Sequence, residues 1–196
     1  MIPEEFVKSE LNQAAELLTK VLNDQGLVAG ISRAGEILSQ AFKSGNKVIS
    51  CGNGGSMADA IHFAEELSGK FRLDRKALPA MAISDPAFLS CAANDYGYDK
   101  VFSRFIEGHG NSGDVLLAIS TSGNSANIIA ASAEAQKKGM KIIALSGNDG
   151  GSMKNYADLN LTVPFFGYAD RIQEVHIKII HILIALVERD LFSHHK

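Results

Sequence analysis

The chain has 196 residues and a formal net charge of -3, with 46% hydrophobic and 21% charged residues. This length is sufficient for one well-packed domain, 1–196, and the composition is typical of a soluble globular protein. The slightly acidic charge disfavours nucleic acid as a partner, and no segment reaches the roughly 18 uninterrupted apolar residues that a membrane span needs. The acidic N-terminus lacks the basic and then apolar order of a signal peptide.

The two cysteines and the C-terminal histidines have no metal-binding pattern. Cys51 and Cys91 show neither CxxC nor zinc-finger spacing, so each is expected to fill a core position in a reduced, cytoplasmic setting. The C-terminal His194-His195-Lys196 is too short for a metal site and is expected to be a frayed end.

The first 45 residues are predicted to form a helical hairpin. Apolar residues recur at helical spacing from Phe6 to Leu22 and again from Ile31 to Phe42, on either side of a break at Asp24-Gln25-Gly26.

From residue 47 onward, short apolar runs alternate with helical segments. Such nearly continuous apolar runs are typical of parallel strands that are covered on both faces. The sequence therefore predicts a single three-layer α/β domain with a five-stranded parallel sheet and the hairpin 1–45 added to it. The predicted strands are Lys47 to Gly52, Ala80 to Ser84, Val115 to Ser120, Lys141 to Ser146 and Leu159 to Pro164.

The most informative segment follows the third predicted strand and contains only small hydroxyl residues, glycine and asparagine. Ser125 at its end is predicted to cap a helix from Ala126 to Lys138. Backbone N–H groups, hydroxyls and the positive end of the helix dipole then converge on one point, which favours an anion and most often phosphate. The alternative is an ordinary capped turn. The segment is Ser120-Thr121-Ser122-Gly123-Asn124-Ser125.

A similar loop, Asn53-Gly54-Gly55-Ser56, follows the first predicted strand and leads into a helix from Met57 to Leu67. Gly54 and Gly55 permit a positive φ and close approach of a ligand to the backbone, and Ser56 is predicted to cap the helix. Ligands bind at the carboxyl ends of parallel strands near a switch point, so the two loops are expected to face each other across a crevice. Neither loop matches GxxxxGK[ST] or GxGxxG, which disfavours ATP and dinucleotides.

The predicted final helix, Ala169 to Phe192, is apolar on almost every side. A helix of this kind is expected to be buried all round, and a domain of this size has little room for it, so we expect a homo-oligomer that uses this helix and the hairpin 1–45. Gln173 and His181 are polar exceptions on roughly one face, whereas His176 is less constrained by this spacing.

His62 and Glu66 lie at positions i and i+4 of the helix after the first loop, so both side chains can reach one metal ion. A set of His, Glu, Gln and His ligands suits zinc. The alternatives are a hydrogen-bonded core histidine for His181 and a surface hydrogen bond between His62 and Glu66. Spacing alone does not bring the two helices together.

Taken together, these motifs resemble those of the bacterial phosphoheptose isomerases, single-domain members of the sugar isomerase (SIS) family. The similarity runs from the first helix to the last. It implies a cytoplasmic homotetramer that converts sedoheptulose 7-phosphate to D-glycero-D-manno-heptose 7-phosphate, a step toward the ADP-heptose of lipopolysaccharide core. The segments that carry the resemblance are Ser50 to Ser56, His62 to Leu67, Ala93 to Gly97, Ser120 to Ser125 and Gly167 to Glu174.

The resemblance also implies functional residues. Glu66 is expected to be the base that moves the carbon-bound proton, and His181 to move protons on the oxygens and assist ring opening. One Zn²⁺ per subunit is implied, with the ligands His62, Glu66, Gln173 and His181. The implied substrate contacts are Asn53, Gly54, Gly55, Glu66, Asn94, Asp95, Ser120, Thr121, Ser122, Ser125 and Gln173. Lys70 stands where some relatives carry arginine, so the residue that balances the phosphate charge is not identified.

The sequence leaves two other functions as alternatives. A non-catalytic regulator that binds the bacterial replication initiator shares the length and fold, but the segment Ala64-Glu65-Glu66 and His181 favour the enzyme. Another sugar-phosphate enzyme of the same fold, such as an aminosugar isomerase or an N-acetylmuramate 6-phosphate etherase, is the second alternative.

Overall fold

The computed structural model describes residues 2–192 and contains one five-stranded sheet with helices on both faces. The C-terminal His194-His195-Lys196 lies outside the described residues. The strands are β1 Val48–Cys51, β2 Ala80–Ala82, β3 Val115–Ser120, β4 Lys141–Gly147 and β5 Leu159–Val163. The α-helices are α1 Pro3–Asn23, α2 Gln25–Lys43, α3 Gly55–Ser68, α4 Pro86–Tyr96, α5 Val101–His109, α6 Ala126–Lys137 and α7 Ala169–Phe192.

All neighbouring strands are parallel, in the order β2-β1-β3-β4-β5. The predicted five-stranded parallel sheet is therefore confirmed. β3 has the predicted bounds, whereas β2 ends two residues earlier than predicted, at Ala82 instead of Ser84. The order reverses between β1 and β3, because β2 is added on one side of β1 and β3 on the other.

Alternate residues of each strand pack into two separate cores, which confirms the three-layer arrangement. Leu117 and Ile119 of β3 face a core formed with α2, α3 and α7. Leu116 and Ala118 face a second core formed with α4, α5 and α6. This alternation is the period of two expected of a strand, and burial on both faces explains why the strands are almost entirely apolar.

The two N-terminal helices are joined by a single residue, Asp24. It ends α1, and its carboxylate accepts a hydrogen bond of 2.9 Å from the backbone N–H of Leu27 at the start of α2. α1 contributes only Leu17 and Val21 to the buried core and leaves Phe6 and Leu11 exposed. The predicted helices are therefore present, but most of the apolar face of α1 is open in a single subunit.

One burial prediction is wrong. Cys51 is buried as predicted, but Cys91 is exposed on α4, whose only buried residue is Ala92. α7 has the predicted bounds, and Ile182 is 46% exposed, so one subunit leaves part of this apolar helix uncovered, as expected for a domain of this size. Separately, none of the helices within residues 2–192 has the length and apolarity that crossing a bilayer requires.

Candidate active site

The two polar loops lie side by side at the carboxyl ends of β1 and β3, where the strand order reverses. Parallel sheets with this order bind ligands at this point. The side chain of Asn53 in the first loop exchanges two hydrogen bonds of 2.9 Å with Asn127 in the first turn of α6. The hydroxyl of Tyr98 donates to the same Asn53 oxygen at 3.1 Å. The two loops therefore form the walls of one crevice.

The first loop is built differently from the prediction. Gly54 occupies the N-cap position of α3 with a φ of 54°, and Gly55 is the first helical residue. Ser56, predicted to be the cap, is buried inside the first turn. Glycine occupies this N-cap because a positive φ favours glycine over serine. No side chain caps this end of α3; the N–H groups of Ser56 and Met57 donate to the carbonyl oxygens of Asn53 and Gly54.

In the second loop, the serine hydroxyls bond to one another and to the loop backbone. Ser125 is at the predicted N-cap of α6, but its hydroxyl lies 2.9 Å from that of Ser120 and makes no capping bond. The hydroxyl of Ser122 accepts from the N–H of Asn124 at 3.1 Å, which leaves its own proton free to donate. Thr121 is half-buried, and Ser122 is exposed at the rim of the loop.

The side chains of His62 on α3 and His181 on α7 meet, although sequence spacing could not bring the two helices together. Their Nε2 atoms are 2.9 Å apart, and a carboxylate oxygen of Glu66 is 3.7 Å from Nε2 of His62. Burial and the neighbouring His62 lower the pKa of His181, so its imidazole is neutral at neutral pH. Nε2 of His62 therefore has an imidazole nitrogen and a carboxylate oxygen beside it, and these are donor atoms that zinc prefers.

Glu65 is a member of this cluster that sequence reasoning missed. Its carboxylate lies 3.1 Å from Nδ1 of His62, so Nδ1 carries the proton and Nε2 faces His181. Metal-binding histidines are commonly oriented by a carboxylate in this way. His62, Glu65 and Glu66 form a group whose ligand atoms lie within 4.8 Å of one another, close enough to hold one cation.

The remaining predicted site residues lie further from this cluster. The carboxamide of Gln173 packs on Gly55 at the first turn of α3, whereas His62 is two turns further along the same helix. Asn94 and Asp95 are exposed near the end of α4 and bond to each other at 2.7 Å. Lys70 is exposed just after α3.

A buried ion pair at the end of α3 was also missed. Arg75 and Glu188 of α7 pair at 3.1 Å, and both side chains are almost fully buried. The same guanidinium donates to the backbone carbonyl oxygens of Glu66 and Leu67 at 2.8 and 2.7 Å. It therefore fixes the last turn of α3, which carries Glu66, against α7. An acidic residue directly after the apolar run that ends at Val187 was the available sequence signal.

His176, which appeared the less constrained histidine, is instead fully buried. Its Nε2 lies 3.0 Å from the carbonyl oxygen of Ser146, and its Nδ1 has no partner among the described residues. Burial lowers the pKa of His176 to about 4, against a smaller opposing effect of the Ser146 bond. Helical spacing could not reveal this environment, because the partner of His176 lies on β4 and not on α7.

Comparisons with known proteins agree with this architecture. The family model described as the SIS domain matches residues 11–147. Phosphoheptose isomerase of Pectobacterium atrosepticum is 58% identical over 188 residues, which cover 96% of this chain and 97% of that protein. Among solved structures, phosphoheptose isomerase from Neisseria gonorrhoeae is 38% identical with a TM-score of 0.88, covering 94% of this chain and 98% of that one. The Francisella tularensis structure is 34% identical with a TM-score of 0.92, covering 96% and 100%.

Proposed function

The chain belongs to the SIS domain family and, within it, to the phosphoheptose isomerases, and from this premise we propose how it converts sedoheptulose 7-phosphate to D-glycero-D-manno-heptose 7-phosphate. It is an isomerase, and the product serves the synthesis of ADP-heptose for lipopolysaccharide core. The observation that carries the proposal is the meeting of Glu66 and His181, from two different helices, at His62.

Aldose–ketose isomerisation moves a proton between adjacent carbons through an enediolate. Glu66 removes and returns the carbon-bound proton, because it is the partly buried carboxylate of the cluster, whereas Glu65 is exposed and engaged with Nδ1 of His62. His181 moves protons on and off the oxygens, since its lowered pKa keeps a neutral nitrogen available at neutral pH. It also assists opening of the sugar ring.

His62, Glu66 and His181 would hold one Zn²⁺. Gln173, the fourth ligand that the family resemblance implies, packs on Gly55 in the same subunit and does not reach this cluster. When bound, zinc polarises a carbonyl group and stabilises the oxyanion that develops on it. Glu65 supports this assignment because it directs Nε2 of His62 toward His181. The contacts of Glu66 and His181 with His62 support a metal at this position. The assignment of Gln173 as a zinc ligand rests on the family resemblance alone.

The phosphate of the substrate is held at the second loop by Ser120, Thr121, Ser122 and Ser125. The free hydroxyl proton of Ser122 and the start of α6 supply the hydrogen bonds, and the loop itself contains no basic residue. Asn53, Gly54 and Gly55 line the opposite wall, and Asn94 and Asp95 approach from α4. Binding energy from the phosphate then orients the reacting end of the sugar.

We propose that the protein is a homotetramer in which two subunits complete each site. Glu66 is about 16 Å from Gly55 along the axis of α3, which exceeds the distance from the carbonyl carbon to the phosphate of a seven-carbon sugar. Ile61 and Ile182, the neighbours of the two cluster histidines, are 41% and 46% exposed. Both observations favour a second copy that covers the cluster and brings its own phosphate loop to it.

A cytoplasmic location is proposed on the state of the cysteines. Both Cys51 and Cys91 are free thiols, and Cys91 is exposed. An exposed free thiol suits a reducing compartment.

The direct test is incubation of zinc-supplemented protein with sedoheptulose 7-phosphate, with formation of the aldose phosphate as the readout. We expect turnover of the phosphate ester and little turnover of unphosphorylated sedoheptulose at equal concentration. Failure to form the aldose would overturn the assigned reaction. Equal turnover of both sugars would leave the reaction intact and overturn the assigned phosphate loop.

A further inference from the structure

A buried chain of hydrogen bonds connects α7 to the second loop, and it begins at His176. Nε2 of His176 is 3.0 Å from the carbonyl oxygen of Ser146, the residue that pairs with Ser120 across β3 and β4. A carbonyl oxygen has no proton to give, so Nε2 must carry the hydrogen. This fixes His176 as the neutral tautomer that donates from Nε2, with Nδ1 unprotonated and buried without a partner among residues 2–192.

The peptide unit that accepts from His176 also donates to the second loop. Its carbonyl group belongs to Ser146 and its N–H to Gly147. The Gly147 N–H donates to the carbonyl oxygen of Thr121, with an N···O distance of 2.9 Å. The C=O and N–H of a trans peptide point in opposite directions. One peptide unit is therefore held from both sides, by α7 and by the loop after β3.

The same geometry applies to the next peptide along the chain of bonds. The carbonyl group of Thr121 faces Gly147, so the N–H of Ser122, at the other side of the same peptide, points away from β4. Among residues 2–192 this N–H has no protein partner. It lies in the loop assigned to phosphate, where an anion is the partner that a free backbone N–H favours.

Packing leaves this chain of bonds little freedom to shift. A Cβ atom on Gly147 would lie 2.3 Å from Cδ1 of Ile172 and 2.8 Å from the carbonyl oxygen of Thr121. Residue 147 is therefore restricted to glycine, and α7, β4 and the loop converge there without a gap. Aligned peptide dipoles in such a chain also polarise one another, which strengthens the terminal donor.

We propose that His176 is a positioning residue that orients the N–H of Ser122 toward the phosphate of the substrate, through the Ser146–Gly147 peptide and the carbonyl group of Thr121. The inference rests on the proposed phosphate loop. His176 itself touches neither substrate nor the His62–His181 cluster. This positioning role explains why an imidazole occupies an otherwise apolar core position, although one of its nitrogens is left without a hydrogen bond at a cost in stability.

The test compares substitutions that keep or remove the donor at the Nε2 position. The amide nitrogen of glutamine can occupy the position of Nε2, whereas that of asparagine falls short of Ser146. We expect H176N and H176L to raise both the Kd for inorganic phosphate and the KM for sedoheptulose 7-phosphate about tenfold, with kcat changed less than about threefold. H176Q should bind phosphate within about threefold of wild type.

Two controls separate the possible failures. D114N removes one of the two carboxylate oxygens that accept hydrogen bonds from the backbone N–H groups of Lys47 and Asn111 at the opposite end of β3, so it should lower the melting temperature and leave phosphate binding unchanged. S122A should weaken phosphate binding; if it does not, the phosphate loop itself is wrong. If S122A weakens phosphate binding while H176N and H176L bind phosphate as tightly as H176Q, the proposed role of His176 is wrong and the assignment of the phosphate loop is retained.

A measurement on the wild-type protein avoids any question of misfolded variants. Saturation with inorganic phosphate should shift the ¹⁵N resonances of His176 Nε2 and of the Gly147 amide, because both belong to the polarised chain. The amide of Lys47, which donates to Asp114, should not move. Unchanged His176 and Gly147 resonances at saturating phosphate would contradict the proposal.

Discussion

The side chains of Asn53 and Asn127 donate a hydrogen bond to each other across the crevice, with both N···O distances at 2.9 Å. Asn127 is buried, whereas Asn53 is partly exposed and also accepts from Tyr98. The reciprocal pair fixes the orientation of both amides and the separation of the two loops. One N–H of Asn53 is left to face a ligand.

N127A should therefore widen the crevice and release Asn53. We expect KM for sedoheptulose 7-phosphate to rise about tenfold, since two hydrogen bonds at a binding wall are lost. The matched control is S132A in the same helix, which removes a buried hydroxyl that bonds to Ile128 at 2.9 Å and has no link to the first loop. Equal KM values for N127A and S132A would show that the pair has no role in binding.

Removal of metal should affect stability as well as rate. A ligand that binds only the folded state at a hundredfold excess over Kd stabilises by about 2.7 kcal/mol, which corresponds to roughly 5–10 °C in melting temperature. Wild type should melt lower in a strong chelator and recover with added Zn²⁺. H181A should show little response to either treatment while it stays oligomeric, because Ile180, Ile184 and Val187 remain packed.

The metal content of the purified protein provides the check on that result. Wild-type protein that contains no zinc and melts identically in chelator would contradict the site. Glu66 and His181 would then act as an acid–base pair without metal.

Sites shared between subunits can be tested by mixing two inactive variants. E66Q lacks the base but keeps the phosphate loop, and S122D repels phosphate but keeps the cluster. If each site combines the loop of one subunit with the cluster of another, mixed oligomers should recover up to about a quarter of wild-type activity. Recovery no greater than the sum of the separate variants would contradict shared sites, provided that both variants form oligomers of wild-type size.

Acid should destabilise the fold through His176. Its pKa is about 4 in the folded protein and about 6.5 when unfolded, so between these values the unfolded chain binds a proton that the folded chain does not. The contribution of neutral His176 to the free energy of unfolding is complete above pH 6.5 and is lost as the pH falls toward 4, on the order of 3 kcal/mol in total. The free energy of unfolding of wild type should therefore fall relative to that of H176Q as the pH is lowered through this window. A constant difference would contradict the assigned pKa.

The sequence was sufficient for the fold because β1 to β5 are short apolar runs, and burial on both faces is visible in composition alone. It also located both loops, since small residues directly after a strand need no tertiary information to be noticed. The start of α3 was predicted less well. Ser56 has the right chemistry for a cap, but Gly54, a residue that permits positive φ, occupies the N-cap position instead.

Apart from Glu65, whose partner His62 lies on the same helix, the missed residues depend on partners that are distant in sequence. His176 bonds to Ser146, Asn127 pairs with Asn53, and Arg75 pairs with Glu188. Each partner lies on a different element, so periodicity along one helix cannot identify it. The meeting of His62 and His181 has the same character; for these two residues the family resemblance, and not the spacing, supplied the connection.

The most direct test of the proposed mechanism is the turnover of E66Q, which keeps the shape of Glu66 but cannot remove a proton from carbon. A general base contributes about 10²–10⁴-fold, so kcat should fall by that factor. The Kd for inorganic phosphate should stay within about threefold of wild type, because the second loop is untouched. A kcat for E66Q within about threefold of wild type would contradict the assignment of Glu66 as the base.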